Sequence, residues 1–367
     1  MNVAILPTQK SLLNDNIFNP ANARDNVLER FALVKQALKD KGHTCNTLDQ
    51  FDYADVDVLI LSRFDSQLRK AFLCIKKNPC IKFILTANEP WIICPMHTPK
   101  ILEELPVDIV FTWNDTAAKQ YKHIRKGNIG QPYIYAGLLP AVEFNEKKMC
   151  CLIVTNKTSN YPNELYSERL AAVRFFARKN AVFDLFGMGW EFSQDPLVKK
   201  VYKGTVVSKK ETMQHYKFAI CYENVKDEMG LITEKIFDCF AAGCVPVYYG
   251  ARNVTDYIPK ECFIDFRDFA DYEDLYSFIM NMEEKEYNKY LNAVKKFLQT
   301  DAYKEFTSEA YVRNIMQAIE ELKRKKVNRN FYKVKLDLMW YVIKNMGFYL
   351  RNQKRTRRFV CDVVTVW

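Results

Sequence analysis

The sequence predicts an α/β protein of two doubly wound domains facing a cleft, with a basic amphipathic tail at the C-terminus. Three observations carry that expectation. Short apolar strands alternate with helical segments over roughly the first 150 residues, and the alternation restarts at Cys150 after the charged connector EFNEKK. Thirteen Lys or Arg but one acid, Asp337, lie between Lys323 and Arg358, so this stretch carries +12 of a net +10 and the rest of the chain −2. A chain of 367 residues is long for one core. The expected division is 1–148, 149–322 and a tail over 323–367.

In the first series VAILP opens as a strand. A helix is expected from about Ala23 to Lys41, with Val27, Phe31, Val34 and Leu38 on one face. HTCNTL, VDVLILS, IKFILTA and DIVFTW follow as strands, and QPYIYAGLLP leads into the connector. Apolar strands interleaved with helices indicate a parallel sheet covered on both faces. The second series runs through CCLIVTN, a helix carrying Glu168 to Arg178, VFDLFG, a helix near Lys209 to His215, FAICYEN, GLITEKIFDCFAAGCVPVYYG and CFIDF. From about Tyr272 the pattern is mainly helical.

The GLITEK stretch is the most informative. Ile236, Phe237, Phe240 and Ala241 recur at helical spacing, Thr233 can cap that helix, and Gly243 suits a left-handed residue after its last turn. Glu234 in the first turn agrees with the helix dipole. Lys235 opposes the dipole unless an anion lies beside it.

Several chemistries lack their signatures. There is no GxxxxGK[ST] and no GxGxxG after a strand, and the four histidines are not paired at ligand spacing, so no metal site is expected. The eleven cysteines include no CxxC and sit mostly in apolar runs, as buried hydrophobes in a reducing compartment do. No stretch resembles a signal peptide or an apolar membrane span, so the sequons at Asn114, Asn156 and Asn253 lack a secretory context. Asp55 and Asp57 precede their strand and read as a turn. A near-neutral body with charge confined to one end argues against nucleic-acid binding.

Three places put polar residues directly after an apolar strand. Glu89 follows IKFILTA and reads as either a surface-turn residue or a general base at a cleft edge. Arg169 lies near the start of the helix after LIVTN, where a solvated face explains it as well as a functional role does. Tyr222, Glu223 and Asn224 leave the strand FAICY, and the next loop leads to Glu234 and Lys235. A diphosphate there would meet backbone N–H groups and the Lys235 ammonium, while Glu234 could accept hydrogen bonds from ribose hydroxyls. That combination describes a nucleotide.

The stretch KFAICYENVKDEMGLITEKIFDCFAAGCVPVYYGARNVTDYIPKECFIDFRDF resembles the α-1,3/4-fucosyltransferases, glycosyltransferase family 10. That family has a strand ending in Phe-Glu-Asn, then Ile-Thr-Glu-Lys, a helix, and Val-Pro-Val or Ile-Pro-Ile. Arg169 falls where the family's phosphate-contacting arginine follows its Val-x-Asn strand, and ANEPW resembles the family's Glu-Ser-Pro segment without the Ser. Leu231 stands where the family has Tyr before Ile-Thr-Glu-Lys.

The resemblance implies a GT-B arrangement of two Rossmann-like domains, acceptor side first and nucleotide sugar second. It implies an inverting transfer of L-fucose from GDP-fucose, without metal or cofactor, to a hydroxyl of an acceptor glycan. The linkage would be α-1,3 or α-1,4 to GlcNAc or Glc of a surface polysaccharide or lipopolysaccharide. Glu89 would be the base, and Arg169, Tyr222, Glu223, Asn224, Thr233, Glu234 and Lys235 would bind the donor. Alternatives are a GT-B transferase with another nucleotide sugar and a non-catalytic sugar-nucleotide binder. A retaining Glu-x7-Glu enzyme would need an acid at position 242, which is Ala.

In the tail, Leu336, Met339, Trp340, Ile343, Gly347 and Leu350 follow helical spacing beside Lys344, Arg351, Lys354, Arg355, Arg357 and Arg358. Such a helix either packs on the body or lies on an anionic membrane. The second choice would place the protein in the cytoplasm, peripherally on the inner face of the membrane.

Overall fold

A computed structural model describes residues 1–128, 130–131, 141–179 and 183–345, together with 361 and 363. The chain divides into two compact units, Met1–Pro132 with Ser308–Trp367, and Tyr133–Thr307. Each contains one parallel sheet.

The first unit has six strands: β1 (Asn2–Leu6), β2 (Thr44–Thr47), β3 (Val58–Leu61), β4 (Lys82–Ala87), β5 (Ile109–Thr112) and β6 (Ile124–Lys126), in the order β2-β1-β3-β4-β5-β6. The second has five: β7 (Lys148–Ile153), β8 (Phe183–Phe186), β9 (Tyr216–Tyr222), β10 (Val245–Tyr249) and β11 (Ile264–Asp265), in the order β11-β10-β9-β7-β8. Both sheets therefore share one winding, in which the second strand lies outside the first and the third lies on its other side. Strand order reverses between β1 and β3 in one unit and between β7 and β9 in the other, and ligands of doubly wound sheets bind beyond the carboxyl ends at that reversal. In the first unit that place is filled by Gln67, whose side chain accepts from the Ser62 and Arg63 N–H groups at 3.1 Å and donates to the Leu6 carbonyl at 2.6 Å. In the second unit it carries charge.

The expected alternation holds, with two corrections. The first helix spans Glu29–Asp40 rather than starting near Ala23, because Asp25 and Asn26 have φ of 56° and 54°, which a right-handed helix cannot contain. The expected 149–322 domain also loses its last helix, because the chain returns to its first unit at Ser308. Tyr311, Ile315, Ala318, Ile319 and Leu322 of the helix Ser308–Arg324 pack in one core with Ile5, Val34 and Leu38.

Nor are residues 323–345 a free tail. Lys325 and Arg329 both pair with Asp108, and Leu338, Tyr341 and Val342 of the helix Phe331–Lys344 join the core around Leu68, Phe72 and Ile75. Tyr332, Leu336, Trp340 and Ile343 are exposed, by 71%, 63%, 69% and 55% respectively. That helix is apolar on two faces, one packed and one open, and Met339 packs partly against the core instead of joining the open face. Gly347, Leu350, Arg351, Lys354, Arg355, Arg357 and Arg358 lie outside the described residues. No helix among the described residues is long and apolar enough to cross a membrane.

Candidate active site

Strand β9 ends at Tyr222, and the next residue, Glu223, is completely buried. An isolated carboxylate there would be costly, so its partners define the site. It accepts from the Thr233 backbone N–H at 2.8 Å, from the Thr233 hydroxyl at 2.9 Å and from Lys235 Nζ at 3.0 Å. Thr233 occupies the N-cap position of the helix Glu234–Ala241, but its hydroxyl serves Glu223 rather than the helix N–H groups. The cation at that helix start is thus balanced by a carboxylate of the protein itself. Burial works against the Lys235 charge, but Glu223 and Glu234 outweigh it and hold the lysine pKa above its ordinary value.

Arg169 comes from the first turn of the helix Tyr166–Arg178 and is 3% exposed. Its Nη2 donates to the carbonyls of Tyr222 at 2.7 Å and Glu223 at 2.8 Å, and to Asn224 Oδ1 at 3.1 Å. The guanidinium therefore fastens the end of β9. Burial lowers its pKa, though an arginine stays charged.

Glu234 faces outward, with about 36% of its side chain exposed, and Lys235 Nζ and Lys209 Nζ lie 3.9 and 3.7 Å away. Burial opposes its ionisation, yet the two lysines hold its carboxyl down to about 2. The helix start thus presents one ionised carboxylate and one ammonium, both supported from beneath.

The expected donor residues Arg169, Tyr222, Glu223, Asn224, Thr233, Glu234 and Lys235 are brought together. Two need correction. The Tyr222 ring is fully buried against Tyr249 and Phe266, and the Glu223 side chain has no exposed surface. Both support the contacting groups instead of meeting a ligand. Leu231 is buried as well, and its carbonyl accepts from the Tyr248 hydroxyl.

Glu89 belongs to the other unit. It is exposed in the turn after β4, where His97 Nδ1 lies 2.9 Å from its carbonyl oxygen, and the next aromatic, Trp91, packs on Trp113 at 5.1 Å. Among the described residues no group of three His, Cys, Asp or Glu is placed to hold a metal ion.

The sequence profile described as glycosyltransferase family 10 (fucosyltransferase), C-terminal part, matches residues 144–337, more than half of the chain. The chain belongs to this family. Among curated relatives, the alpha-(1,3)-fucosyltransferase FucT of Helicobacter pylori is 27% identical over 160 residues, 43% of this chain and 33% of that protein. An alpha-(1,4)-fucosyltransferase of Arabidopsis thaliana is 37% identical over 70 residues, 19% of this chain and 17% of that one. The matched stretches thus span a third or less of these relatives.

Two solved structures resemble the fold across most of the chain. An alpha1,3-fucosyltransferase crystallised with GDP-fucose has a TM-score of 0.52 at 12% identity, over 90% of this chain and 92% of that one. Anabaena Alr3699/HepE in complex with UDP-glucose has a TM-score of 0.55 at 8% identity, over 88% of this chain and 100% of that one. At such identities the likeness establishes the two-sheet GT-B fold, and it spans proteins crystallised with different nucleotide sugars.

In this family 10 chain, three supports escaped the sequence reading. Lys209, at the start of a helix capped by Ser208, reaches both Glu234 and Asp238, the latter at 3.0 Å. Gly250 is the second: a Cβ there would lie 2.5 Å from Glu223 Cγ and 2.5 Å from the Tyr248 hydroxyl. The third is the turn after β8, where Gly187 has φ of 127° and a Cβ would stand 1.9 Å from the Val154 carbonyl oxygen. Gly-x-Gly directly after VFDLF was a signal for the last. Nothing in the sequence marked the other two, because their partners are remote in the chain.

Proposed function

We propose that the chain is an inverting fucosyltransferase that moves L-fucose from GDP-fucose to a hydroxyl of an acceptor glycan. The observation that carries this reading is the supported pair of Glu234 and Lys235 at a helix start, beyond the carboxyl ends of β7 and β9. Lys235 and the helix N–H groups would take the diphosphate, and Glu234 the ribose hydroxyls. Arg169, Asn224 and Thr233 keep the donor surface in place, and the Arg169 guanidinium adds positive potential to it.

Glu89 accepts the proton of the acceptor hydroxyl as that oxygen bonds to the anomeric carbon. The bond from that carbon to the diphosphate oxygen breaks in the same displacement, and GDP leaves with the electron pair. Charge growing on the GDP oxygen is met by Lys235 and the helix N–H groups, with the positive potential of the buried Arg169 behind them, so the step calls for no metal or cofactor. The family membership supports fucose, and the linkage proposed with it is α-1,3 or α-1,4 to GlcNAc or Glc of a surface polysaccharide or lipopolysaccharide.

The open apolar face of the helix Phe331–Lys344, with basic residues around it, supports peripheral attachment to the inner face of an anionic membrane. The transfer reading is tested by incubating the full chain with GDP-fucose and an N-acetyllactosamine acceptor and following product by NMR. A product of anomeric configuration opposite to the donor's is expected, and Glu89→Gln should lower turnover by about 10²–10⁴ while GDP still binds. Transfer at near-normal rate by Glu89→Gln would remove the base from that residue.

A further inference from the structure

We propose that the second unit carries a separate groove for a neutral, hydroxyl-rich glycan chain, on the outer side of its edge strand β11. This rests on the reading of the protein as a transferase acting on glycans. Two adjoining cavities of about 440 and 600 Å3 share Asp268, Phe269, Phe278 and Glu286, and so form one depression between β11 and the helices Tyr272–Met280 and Glu284–Phe297. Each has the volume of a small-ligand site but lies open at the surface, as a groove for a chain does.

The walls are aromatic. Phe269 and Phe278 pack at 5.3 Å and 55°, and Phe278 is 39% exposed, which is unfavourable for a large apolar ring unless something covers it. The flat apolar faces of pyranose rings, formed by C–H bonds, match such surfaces. Carboxylates stand around the rim: Glu261, Glu286 and Asp268 on one cavity, with Asp274 and Glu283 added on the other. Ionised carboxylates accept hydrogen bonds from vicinal hydroxyls.

Charge narrows the class further. The two basic residues of the walls, Lys260 and Lys289, already pair with Asp268 and Glu286. The excess is therefore negative, and anionic glycans, nucleotides and acidic lipid headgroups would be repelled. A polycation would be drawn by that excess but would leave the aromatic faces uncovered. A neutral glycan satisfies the aromatic faces and the carboxylates together. The groove is also distinct from the donor surface, since none of its walls comes from β7, β9 or the helix Glu234–Ala241.

The test titrates the full chain, without donor, with chitotetraose as neutral probe, a hyaluronan tetrasaccharide as anionic probe and decalysine as cationic probe. Chitotetraose should bind and the hyaluronan fragment should not. Phe278→Ala should weaken chitotetraose binding by about tenfold, and Glu261→Gln, at an exposed rim position, should weaken it measurably as well. GDP affinity should be unchanged in both variants. The proposal is overturned if chitotetraose does not bind, if it binds both variants as well as the parent, or if decalysine occupies the groove in its place. A GDP titration on the same samples separates the two readings. Intact GDP binding without chitotetraose binding removes the groove alone, whereas chitotetraose binding without GDP binding removes the donor reading alone.

Discussion

Replacing Glu223 by Gln keeps its shape and removes its charge, leaving Lys235, 16% exposed, with only Glu234 at 3.9 Å to balance it. Removing one member of a buried pair costs about 3–5 kcal/mol, so urea unfolding of Glu223→Gln should show a loss of that size. Gly250→Ala should act on the same carboxylate by a different route, because the new methyl would displace Glu223 Cγ. Overpacking of this kind costs about 1–3 kcal/mol, and a variant as stable as the parent would mean that Glu223 moves freely. At this scale the sequence raised the right question about Lys235, an ammonium at a helix start. It expected the answer from a ligand. The nearer answer is Glu223, twelve positions back, and only a fold that sets the end of β9 beside the helix start makes the two neighbours.

The loop from Asn224 to Gly230 is fastened along its length: the Leu165 N–H donates to the Asn224 carbonyl, and the Lys226, Asp227 and Gly230 N–H groups donate to the Asn163 carbonyl, the Gly250 carbonyl and Asn253 Oδ1. Within it Glu228 is half-buried, and burial, with Asp227 beside it, pushes its carboxyl up to about 7. A carboxyl raised from its ordinary 4.5 favours the folded state while protonated and loses that contribution as pH rises through about 7. The melting temperature should therefore fall between pH 4.5 and 7, and Glu228→Gln should flatten that decline; an unaltered profile would contradict the assignment. Glu234 has the opposite sign. Its contribution is complete above about 4.5 and is lost as pH falls toward about 2. Elements with a strong period were legible: Ile236, Phe237, Phe240 and Ala241 are all buried, and Gly243 has φ of 61°. The helix Ser308–Arg324 was legible as a helix but not in its partner, because an amphipathic pattern states that a face is buried and not what buries it.

Across the whole molecule, both sheets follow one winding, and the second has the ionised pair Glu234 and Lys235 near its point of reversal, which is where the proposed donor would lie. The basic C-terminal segment divides between two tasks. Lys325 and Arg329 are held by Asp108, whereas Tyr332, Leu336, Trp340 and Ile343 remain outside the core. Cutting the chain near Glu321 would uncover the core around Phe72, so point changes are the sound test of membrane attachment. Leu336→Glu with Trp340→Glu should abolish co-sedimentation with anionic vesicles and leave GDP binding intact; equal sedimentation would show that this face is not the membrane contact. The donor site is tested most directly by calorimetric titration of GDP into the full chain and into the pair Glu223→Gln, Lys235→Met, which removes both charges of that buried ion pair together. Loss of the charge-assisted contact should weaken GDP by about 10- to 150-fold, and an unchanged dissociation constant in the folded variant would contradict a nucleotide at this helix start.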